Sequence, residues 1–436
     1  MNGEMKIPYG LSDFKRLRSG GYYFVDKSMY IRTLELCGSF LFFVRPRRFG
    51  KSLFLSMLRC YYDLAERDNF DALFGDLDIG KNPTENRNRY QVLTLDFSQV
   101  NKGEGDTLAA RFENYIGDRL DEFMLRYGKF YDDDFCAAFA SAKPASKFTK
   151  LTGYSKVKGY HLYLMLDEYD NFTNAMLRAE GNNDYRSITH GQGFYREWFK
   201  AFKGNFDRIF MTGVSPVTMD DLTSGFNIAS NISQSPLCNS MVGFSEKEVL
   251  KLYSDFKGTG MFTDGDPAEI VRAIKPWYDG YCFARKKRGE ESVFNSDMSL
   301  YYLNALVQTG DPPEDWVDRD QPSEELLQLK NCERFIGNTY SHKLMSVSSV
   351  LQAILSEGDI VLPISSQFDF EAIDDQKTFL ALFYYYGILT FKRYHEGQYY
   401  YGFPNEWWRC KAQSALEDML LFSNPQSSLF INRKCQ

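Results

Sequence analysis

The segment with the clearest chemical meaning is RPRRFGKS at residues 45–52, which ends in Gly50, Lys51 and Ser52. It follows a run of apolar residues and precedes a helical pattern that begins at Leu53. A Gly-Lys-Ser triplet at a strand-to-helix turn is typical of a loop that binds phosphate groups. The glycine lets backbone N–H groups approach the phosphates, the lysine reaches the outer phosphates, and the serine hydroxyl can bind Mg²⁺.

The first position of this loop departs from the general GxxxxGK[ST] pattern, because Arg45 stands in the place of the first glycine. The loop also contains Pro46 and two further arginines, Arg47 and Arg48. A Gly-Lys-Ser or Gly-Lys-Thr triplet arises by chance in roughly one chain in five of this length, so the triplet alone is a weak signal. The alternative interpretation is a basic loop on a solvated surface.

A second motif lies further along the chain, where the apolar run Tyr163–Leu166 ends in Asp167 and Glu168. In sites of phosphoryl transfer, one carboxylate holds the Mg²⁺ shell and another can act as the base for an attacking water. Four apolar residues followed by Asp-Glu occur by chance in roughly a few per cent of such chains. Both motifs in this order predict a site that binds ATP with Mg²⁺.

A third apolar run, Arg208–Thr212, is followed by Ser215. Ligands of parallel sheets bind beyond the carboxyl ends of the strands, so the hydroxyls of Thr212 and Ser215 would face the same crevice as Lys51 and Asp167. Two interpretations stay open here. The hydroxyls either sense the γ-phosphate or merely cap the following turn.

Short apolar runs alternate with amphipathic stretches in the first half of the chain, which predicts a parallel sheet with crossover helices. The runs are nearly continuous in apolar residues, as expected for strands covered on both faces. The candidate strands are Phe40–Val44, Val92–Phe97, Leu162–Leu166 and Arg208–Thr212. The candidate helices are Leu53–Leu64, 106–127 and Phe194–Phe202. We therefore predict an α/β fold over residues 1–244, a P-loop NTPase parallel sheet with flanking helices.

Residues 245–436 predict a mainly helical and winged-helix-like C-terminal domain. A short strand near Cys238–Phe244 precedes it, and Ser245–Glu248 forms a capping box that opens a helix. Later come a helix around Val347–Leu355, the apolar run Phe379–Tyr386 and a hairpin over 388–403. Acidic residues outnumber basic ones ten to seven in 345–436, which favours a packing or lid domain over DNA binding.

The composition excludes several classes of protein. The net charge of −7 removes the overall basic field of a non-specific nucleic-acid binder, although residues 1–60 carry eleven Lys and Arg against four acids. Four histidines and eight scattered cysteines show no metal-ligand or disulfide spacing. The chain has no secretory leader pattern and no apolar run that approaches a membrane span, so we expect a cytoplasmic protein with reduced thiols.

The chain resembles the bacterial AAA-ATPase-like proteins along nearly its whole length. The segments that carry the resemblance are Ile7–Gly10, Tyr23–Ser28, 45–52, Leu166–Asp170, Thr212–Pro216, Trp277–Tyr281, Tyr386–Thr390 and Pro404–Glu406. Arg45 is itself part of the phosphate-loop pattern of this family. Its members commonly continue into a nuclease domain similar to PD-(D/E)XK enzymes, but about thirty residues follow Glu406, so we expect no such domain in this chain.

These observations together predict a Mg²⁺-dependent ATPase. Lys51 would neutralise phosphate charge, Ser52 and Asp167 would hold Mg²⁺, and Glu168 would be the general base. Arg47 or Arg48 would supply added positive charge. The residues predicted to bind the nucleotide are Arg45, Phe49, Gly50, Lys51, Ser52, Leu53, Thr212 and Ser215.

Two other functions stay open. In the first, ATP is bound without hydrolysis and locks two domains, so that the output is a protein partner or self-association. In the second and weaker one, the chain binds DNA through Lys392 and Arg393 of the predicted hairpin. We expect no membrane partner, and nucleic acid is not favoured.

Overall fold

The computed structural model describes residues 5–102, 107–171, 194–216, 229–287, 289–316, 323–339, 346–362, 364 and 376–423. The chain divides into two compact units. The first comprises Met1–Arg45 and Gly50–Ser233, and the second comprises Pro46–Phe49 and Gln234–Gln436. Four residues of the phosphate-loop motif are thus part of the second unit, whereas the sequence boundary after residue 244 assigned the whole motif to the first.

The first unit is built on a five-stranded parallel sheet in the order β2-β3-β4-β1-β5. Its strands are β1 Phe40–Val44, β2 Gln91–Asp96, β3 Leu162–Asp167, β4 Arg208–Gly213 and β5 Ser230–Asn231. Strands β3 and β4 are buried along their full length. A strand covered on both faces needs apolar side chains at every position, which is why these runs lack the alternation of a half-exposed strand. The four predicted strands and the α/β class are confirmed.

The fifth strand differs from the prediction. Residues Ser230–Asn231 pair with Leu41 and Phe42 of β1 at the edge of the sheet. They are polar and exposed, so the search for apolar runs could not predict this strand. The strand predicted near Cys238–Phe244 is wrong, because this segment forms a 3₁₀ turn at Pro236–Cys238 and contributes only an isolated bridge at Phe244.

Helices flank this sheet. They are α1 Phe14–Ser19, α2 Tyr30–Cys37, α3 Lys51–Tyr62, α4 Phe70–Phe74, α5 Asp78–Lys81, α6 Leu108–Tyr127, α7 Asp133–Ala140, α8 Pro144–Lys158 and α9 Phe194–Lys203. Aromatic side chains fill the space between α6, α9 and the end of β2. The rings of Phe97, Phe112 and Tyr195 pack edge to face, with centroids 5.2–5.8 Å apart. Such pairs contribute stability beyond the area that they bury.

Tyrosine hydroxyls accept hydrogen bonds from backbone N–H groups along the outer edge of β2. The backbone N–H of Val92 donates to the Tyr127 hydroxyl at 2.9 Å, and that of Asp96 donates to the Tyr115 hydroxyl at 2.6 Å. An edge strand otherwise offers unpaired N–H groups to other chains. Both tyrosines belong to α6, which therefore covers this edge of the sheet.

The second unit is mainly helical. Its helices are α10 Glu246–Gly258, α11 Pro267–Tyr278, α12 Ser296–Thr309, α13 Glu324–Thr339, α14 Val347–Glu357, α15 Gln376–Tyr385 and α16 Glu406–Ser423. Helix α10 begins with the predicted capping box, in which the Ser245 and Glu248 side chains bond to each other's backbone N–H groups. The helical character of the C-terminal part is confirmed.

A small antiparallel sheet completes the second unit. It has the order β6-β8-β7, with β6 Ile360–Val361, β7 Thr390–His395 and β8 Gln398–Gly402. Strands β7 and β8 form the predicted hairpin, whose turn places Glu396 and Gly397 at positive φ. Across the residues that the structure describes, no helix is both long and apolar enough to cross a bilayer.

Candidate functional site

Lys51 and Ser52 open helix α3 directly after strand β1. Gly50, the residue before them, has a φ of 89°, a left-handed conformation that glycine adopts without a steric penalty. The first-turn N–H groups of α3 have no partners within the helix, and the helix dipole makes this end positive. Lys51 is 9% exposed, so its ammonium group lies in a largely enclosed place. Leu53 follows in the same turn.

Asp167 is the last residue of β3, and its carboxylate accepts a hydrogen bond from the Ser52 hydroxyl. Burial raises the pKa of Asp167 above its usual value, while the Ser52 hydrogen bond and the charge of Lys51 act in the opposite direction. The structure therefore brings together three residues that stand in two separate motifs. An ammonium, a hydroxyl and a carboxylate meet at the amino end of α3.

Glu168 follows Asp167 and has a φ of 46°, which is uncommon for a residue with a side chain. Such a conformation costs on the order of 1 kcal/mol and occurs most often at functional sites. The side-chain amide of Asn171 donates to Oε2 of Glu168 at 3.1 Å. Burial, followed by the neighbouring charge of Asp167, raises the pKa of Glu168. A carboxylate with a raised pKa is better matched to proton transfer near neutral pH.

Asp170 ties the end of β3 to the end of β4. Its side chain is 1% exposed, and its carboxylate oxygens accept hydrogen bonds from the backbone N–H groups of Val214 at 3.1 Å and Ser215 at 2.9 Å. The sequence analysis included Asp170 in a family segment without a role. A further acid just beyond Asp167 and Glu168 was the signal that could have marked it.

Residue 213 must be a glycine because the ends of β3 and β4 lie so close together. A Cβ atom on residue 213 would lie 2.4 Å from Oδ1 of Asp170 and 2.6 Å from the ring of Tyr169. The Tyr169 hydroxyl in turn donates to the backbone carbonyl of Ser215. The carboxyl ends of β3 and β4 are therefore packed backbone against side chain, and only glycine fits between them.

Thr212 and Ser215 lie in this packed region, and both are fully buried. Neither hydroxyl has a hydrogen-bond partner among the residues that the structure describes. A buried hydroxyl without a partner costs about 1–3 kcal/mol, so such groups usually have a reason to persist.

Arg45 lies at the end of β1 and is buried within the first unit. Its guanidinium donates to the backbone carbonyls of Val44 at 2.9 Å and Ser233 at 2.6 Å, and it stacks 4.4 Å from the ring centroid of Phe43. The backbone N–H of Arg45 also donates to the carbonyl of Gly213 at 3.2 Å. These contacts tie β1 to β4 and to the segment after β5.

The next four residues have their contacts in the second unit. Arg47 forms an ion pair with Glu324 at 2.6 Å. Arg48 has a φ of 68°, and its carbonyl accepts hydrogen bonds from the Ser296 hydroxyl at 3.1 Å and the Asp297 N–H at 3.3 Å. The Arg48 guanidinium lies 4.0 Å from the Asp297 carboxylate.

Phe49 is buried, with 1% of its surface exposed. Its ring packs edge to face on Tyr281 and Phe283, with centroids 4.9 and 5.4 Å away. Its carbonyl accepts a hydrogen bond from the N–H of Gly243 at 2.9 Å. A Cβ atom on Gly243 would lie 2.9 Å from the Phe49 ring, so this glycine leaves room for it.

The described residues contain no cluster of three or more His, Cys, Asp or Glu side chains that could hold a metal ion by themselves. Mg²⁺ seldom uses such a cage, because it keeps several waters and binds through one or two carboxylates together with substrate phosphates. The oxygens of Ser52 and Asp167, which already touch, are the hard ligands that Mg²⁺ prefers. The residues present fit this ion.

A comparison with protein families agrees with this geometry. The family model described as Predicted AAA-ATPase matches residues 8–223. Over this segment the chain matches the AAA-ATPase-like family. The AAA-ATPase-like segment contains strands β1 to β4 together with Lys51, Ser52, Asp167 and Glu168. The family expected from the sequence is confirmed.

A curated relative described as "Uncharacterized protein in vnfD 5′ region", from Azotobacter chroococcum mcd 1, is 25% identical over 308 residues. The match covers 68% of this chain and 52% of the relative, so the chain spans about half of that protein. Among solved structures, the Aeropyrum pernix ORC2 protein in ADPNP–ADP complexes is similar, with a TM-score of 0.35 and 9% identity. The match covers 90% of this chain and 92% of the ORC2 chain. Cdc6p from Pyrobaculum aerophilum has a TM-score of 0.32 and 9% identity, and the match covers 90% of this chain and 94% of the Cdc6p chain.

Proposed function

We propose that the chain binds ATP with Mg²⁺ and hydrolyses it to ADP and inorganic phosphate. The observation that carries this proposal is the meeting of Lys51, Ser52 and Asp167 at the amino end of α3. The match to the AAA-ATPase-like family supports the same chemistry. A triphosphate is the ligand that such a positive helix end, with an adjoining lysine and Mg²⁺ ligands, recognises.

Each residue has a distinct role in this proposal. The Lys51 ammonium and the N–H groups of Gly50 to Leu53 bind the phosphate oxygens and neutralise their charge. Ser52 and Asp167 would hold Mg²⁺, which would offset the charge that develops on the phosphate oxygens. The Ser52–Asp167 hydrogen bond keeps both oxygens oriented before the ligand arrives.

Glu168 is the proposed general base. As the oxygen of the attacking water bonds to the γ-phosphorus, the Glu168 carboxylate accepts a proton from that water. The bond between the γ-phosphorus and the bridging oxygen breaks, and ADP leaves with that oxygen. The raised pKa of Glu168 makes it a better proton acceptor, and the Asn171 amide limits the orientations of the carboxylate. A general base of this kind contributes about 10²–10⁴-fold to the rate.

Thr212 and Ser215 are proposed as sensors of the γ-phosphate. Their buried hydroxyls lack partners among the described residues, which supports a ligand contact over a turn cap. Arg48 and Arg47 would supply further positive charge. The Arg47 guanidinium is paired with Glu324, so its participation requires that this ion pair opens. For Arg45 and Phe49, the proposed contribution is the shape of the loop.

A nucleotide switch that does not hydrolyse ATP is the second candidate. The observation that favours it is the location of Pro46–Phe49, which belong to the second unit although Gly50 and Lys51 follow directly in the chain. A nucleotide held at Gly50–Ser52 would therefore bind to residues that directly follow Pro46–Phe49 in the chain. A protein partner or self-association would then read the bound state.

An ATP-turnover assay on the purified full chain, with and without Mg²⁺ and with and without DNA, tests these functions. We expect Mg²⁺-dependent release of phosphate that disappears in Glu168→Gln. If wild type and Glu168→Gln both bind nucleotide but show equal, negligible turnover, the ATPase proposal is rejected in favour of the nucleotide switch. Absence of any binding would reject both candidates.

A further inference from the structure

Two family segments, Trp277–Tyr281 and Pro404–Glu406, have no part in the nucleotide chemistry above. They meet at a cavity of about 340 Å³ in the second unit. Its wall includes Trp277, Tyr281, Trp407 and Trp408, and we call it the aromatic cavity. Its volume lies at the lower end of the range found for small-molecule sites, about 300–1,000 Å³.

The two segments are locked together, so the aromatic cavity is preformed. Gly280 has a φ of 95°, and a Cβ atom there would lie 2.1 Å from the carbonyl oxygen of Pro404. The Asn405 amide donates to the carbonyl of Asp279 at 2.8 Å. The Trp408 indole N–H donates to the Tyr281 hydroxyl at 3.0 Å. Contacts of this kind hold the aromatic walls in place before any ligand binds.

The acidic side chains of the aromatic cavity are already engaged. Glu324 pairs with Arg47 at 2.6 Å, and Glu325 accepts a hydrogen bond from the Ser323 hydroxyl at 2.7 Å. A cage for a cationic ligand would need aromatic faces that are not already approached by a cation of the protein. Here Lys411 already lies 5.7 Å from the ring centroid of Trp407, so a cationic ligand is disfavoured.

The cavity wall also carries hydrogen-bond donors and positive charges. The Trp407 indole N–H is buried and has no hydrogen-bond partner within the described part of the chain. Lys411 is 6% exposed, and Arg48 has a side chain that is 60% exposed and only loosely paired with Asp297. Aromatic faces together with an unused N–H donor and two cations suit a flat ring that carries acceptors and a negative charge.

We propose that the aromatic cavity binds a planar heteroaromatic ring that carries an anionic group, which is the chemistry of a nucleoside monophosphate. The ring stacks on an indole face, a ring acceptor receives the Trp407 N–H, and the anion lies against Lys411 and Arg48. Lys51, Ser52 and Asp167 do not line this cavity, whereas Arg47, Arg48 and Phe49 of the phosphate-loop motif do. The site is therefore distinct from the proposed triphosphate and Mg²⁺ site but shares these three loop residues. The same chemistry has two sources, a free mononucleotide and a base of a single-stranded nucleic acid.

The test uses the full chain with Lys51→Ala as the background, so that the phosphate loop does not contribute to binding. AMP is titrated and the change in indole fluorescence is followed, with isothermal calorimetry as a second readout. Three of the five tryptophans of the chain line the aromatic cavity, which makes this signal direct. We expect saturable binding of AMP, weaker binding of adenosine, which lacks the anion, and none of ribose 5-phosphate, which lacks the ring.

Two variants in this background localise the site. Trp407→Phe keeps an aromatic ring but removes the N–H donor and one of the two fused rings, and we expect AMP affinity to fall roughly fivefold to tenfold. Lys411→Met keeps the length of the side chain and removes its charge, with a similar loss. Trp198→Phe is the matched control, because Trp198 is a buried tryptophan of the first unit, and we expect unchanged affinity.

The outcomes are distinct. Circular dichroism of each variant shows whether it is folded, and Trp407→Phe is the conservative change on which the decision rests. Binding of a short single-stranded oligonucleotide but not of AMP would assign the same chemistry to nucleic acid. Absence of saturable binding for both ligands, or AMP affinity that Trp407→Phe and Lys411→Met leave unchanged, would overturn the proposal. All of these measurements use the Lys51→Ala background, in which the phosphate loop does not contribute to binding. A negative result would therefore reject the aromatic-cavity proposal without testing the proposed ATPase.

Discussion

The Ser52 hydroxyl donates a hydrogen bond to the Asp167 carboxylate, although the two residues stand on different elements of the first unit. Strand β4 lies between β1 and β3 in the sheet, so the two motifs do not meet through neighbouring strands. The segment 45–50 leads from the end of β1 to the start of α3, where the Ser52 side chain reaches Asp167 at the end of β3. The contact holds a hydroxyl and a carboxylate in the positions that a magnesium site requires.

Lys51→Ala should severely weaken nucleotide binding. The loop gathers the negative charge of a triphosphate and would lose its ammonium, and hydrogen bonds to charged groups are worth about 1.5–3 kcal/mol each. Fluorescence titration with a labelled ATP analogue measures the loss, which we expect to be on the order of 100-fold. Lys150→Ala, an exposed lysine on α8, is the control. Unchanged ATP affinity in Lys51→Ala would remove the site assignment.

Glu168→Gln should keep ATP bound but stop turnover. The amide preserves the size of the side chain and loses the basic oxygen, so the rate should fall by about 10²–10⁴-fold. Phosphate release under single-turnover conditions, together with a binding titration, separates the two effects. Hydrolysis at the wild-type rate would show that another group activates the water.

The same variant should alter the pH dependence of stability without ligand. Because the pKa of Glu168 is raised in the folded state, the folded protein holds this proton more tightly than the unfolded chain does. The resulting stability is present below the unfolded pKa of about 4.3 and is lost as the pH rises through the folded value. Glu168→Gln should therefore be more stable than wild type at pH 7–8.

Thermal unfolding from pH 4 to pH 8 measures this difference, which should shrink toward the acid end. Glu197→Gln, an exposed acid on α9, should give no such trend. A Glu168→Gln protein that is less stable than wild type at pH 8 would contradict the argument.

Thr212→Val should leave the ligand-free protein at least as stable as wild type, because the Thr212 hydroxyl is buried without a partner among the described residues. If this hydroxyl senses the γ-phosphate, the preference for ATP over ADP should fall by about tenfold. Thr152→Val is the matched control, since the Thr152 hydroxyl donates to the carbonyl of Phe148 at 3.0 Å. That variant should lose about 1 kcal/mol of stability and keep the ATP preference. If Thr212→Val keeps the wild-type preference for ATP over ADP, the Thr212 hydroxyl does not sense the γ-phosphate.

Duplex DNA should bind the full chain no better than non-specifically, with a Kd of roughly 10⁻⁴–10⁻⁶ M at physiological salt. The cations of the hairpin are already engaged within the second unit. Arg393 contacts both oxygens of Asp359 at 2.8 and 3.0 Å, and the Lys392 ammonium donates to the carbonyl of Pro404 at 3.3 Å. Fluorescence anisotropy at two salt concentrations checks this. Nanomolar binding that weakens steeply with salt and is lost in Lys392→Ala/Arg393→Ala would identify the hairpin as a DNA-binding element.

Local sequence was sufficient for the strands and the two chemical motifs. A strand covered on both faces must be apolar throughout, so β1 to β4 stood out as continuous runs. The two motifs were readable because phosphate binding needs a glycine, a lysine and a hydroxyl within three consecutive residues, and Mg²⁺ needs a carboxylate at a strand end. The two polar residues of β5 carry no such local signal, since their pairing with β1 alone makes them a strand.

Other features depend on contacts between residues that are far apart in the chain, and only the tertiary structure decided them. The Asp170 carboxylate acquires its role from the N–H groups of Val214 and Ser215, which no spacing rule connects to it. The location of Pro46–Phe49 in the second unit follows from packing against residues about two hundred or more positions later. The sequence by itself determined which residues could do chemistry, because that depends on their type and local order. Burial, pairing and the walls of a cavity are properties of neighbours that only folding brings together.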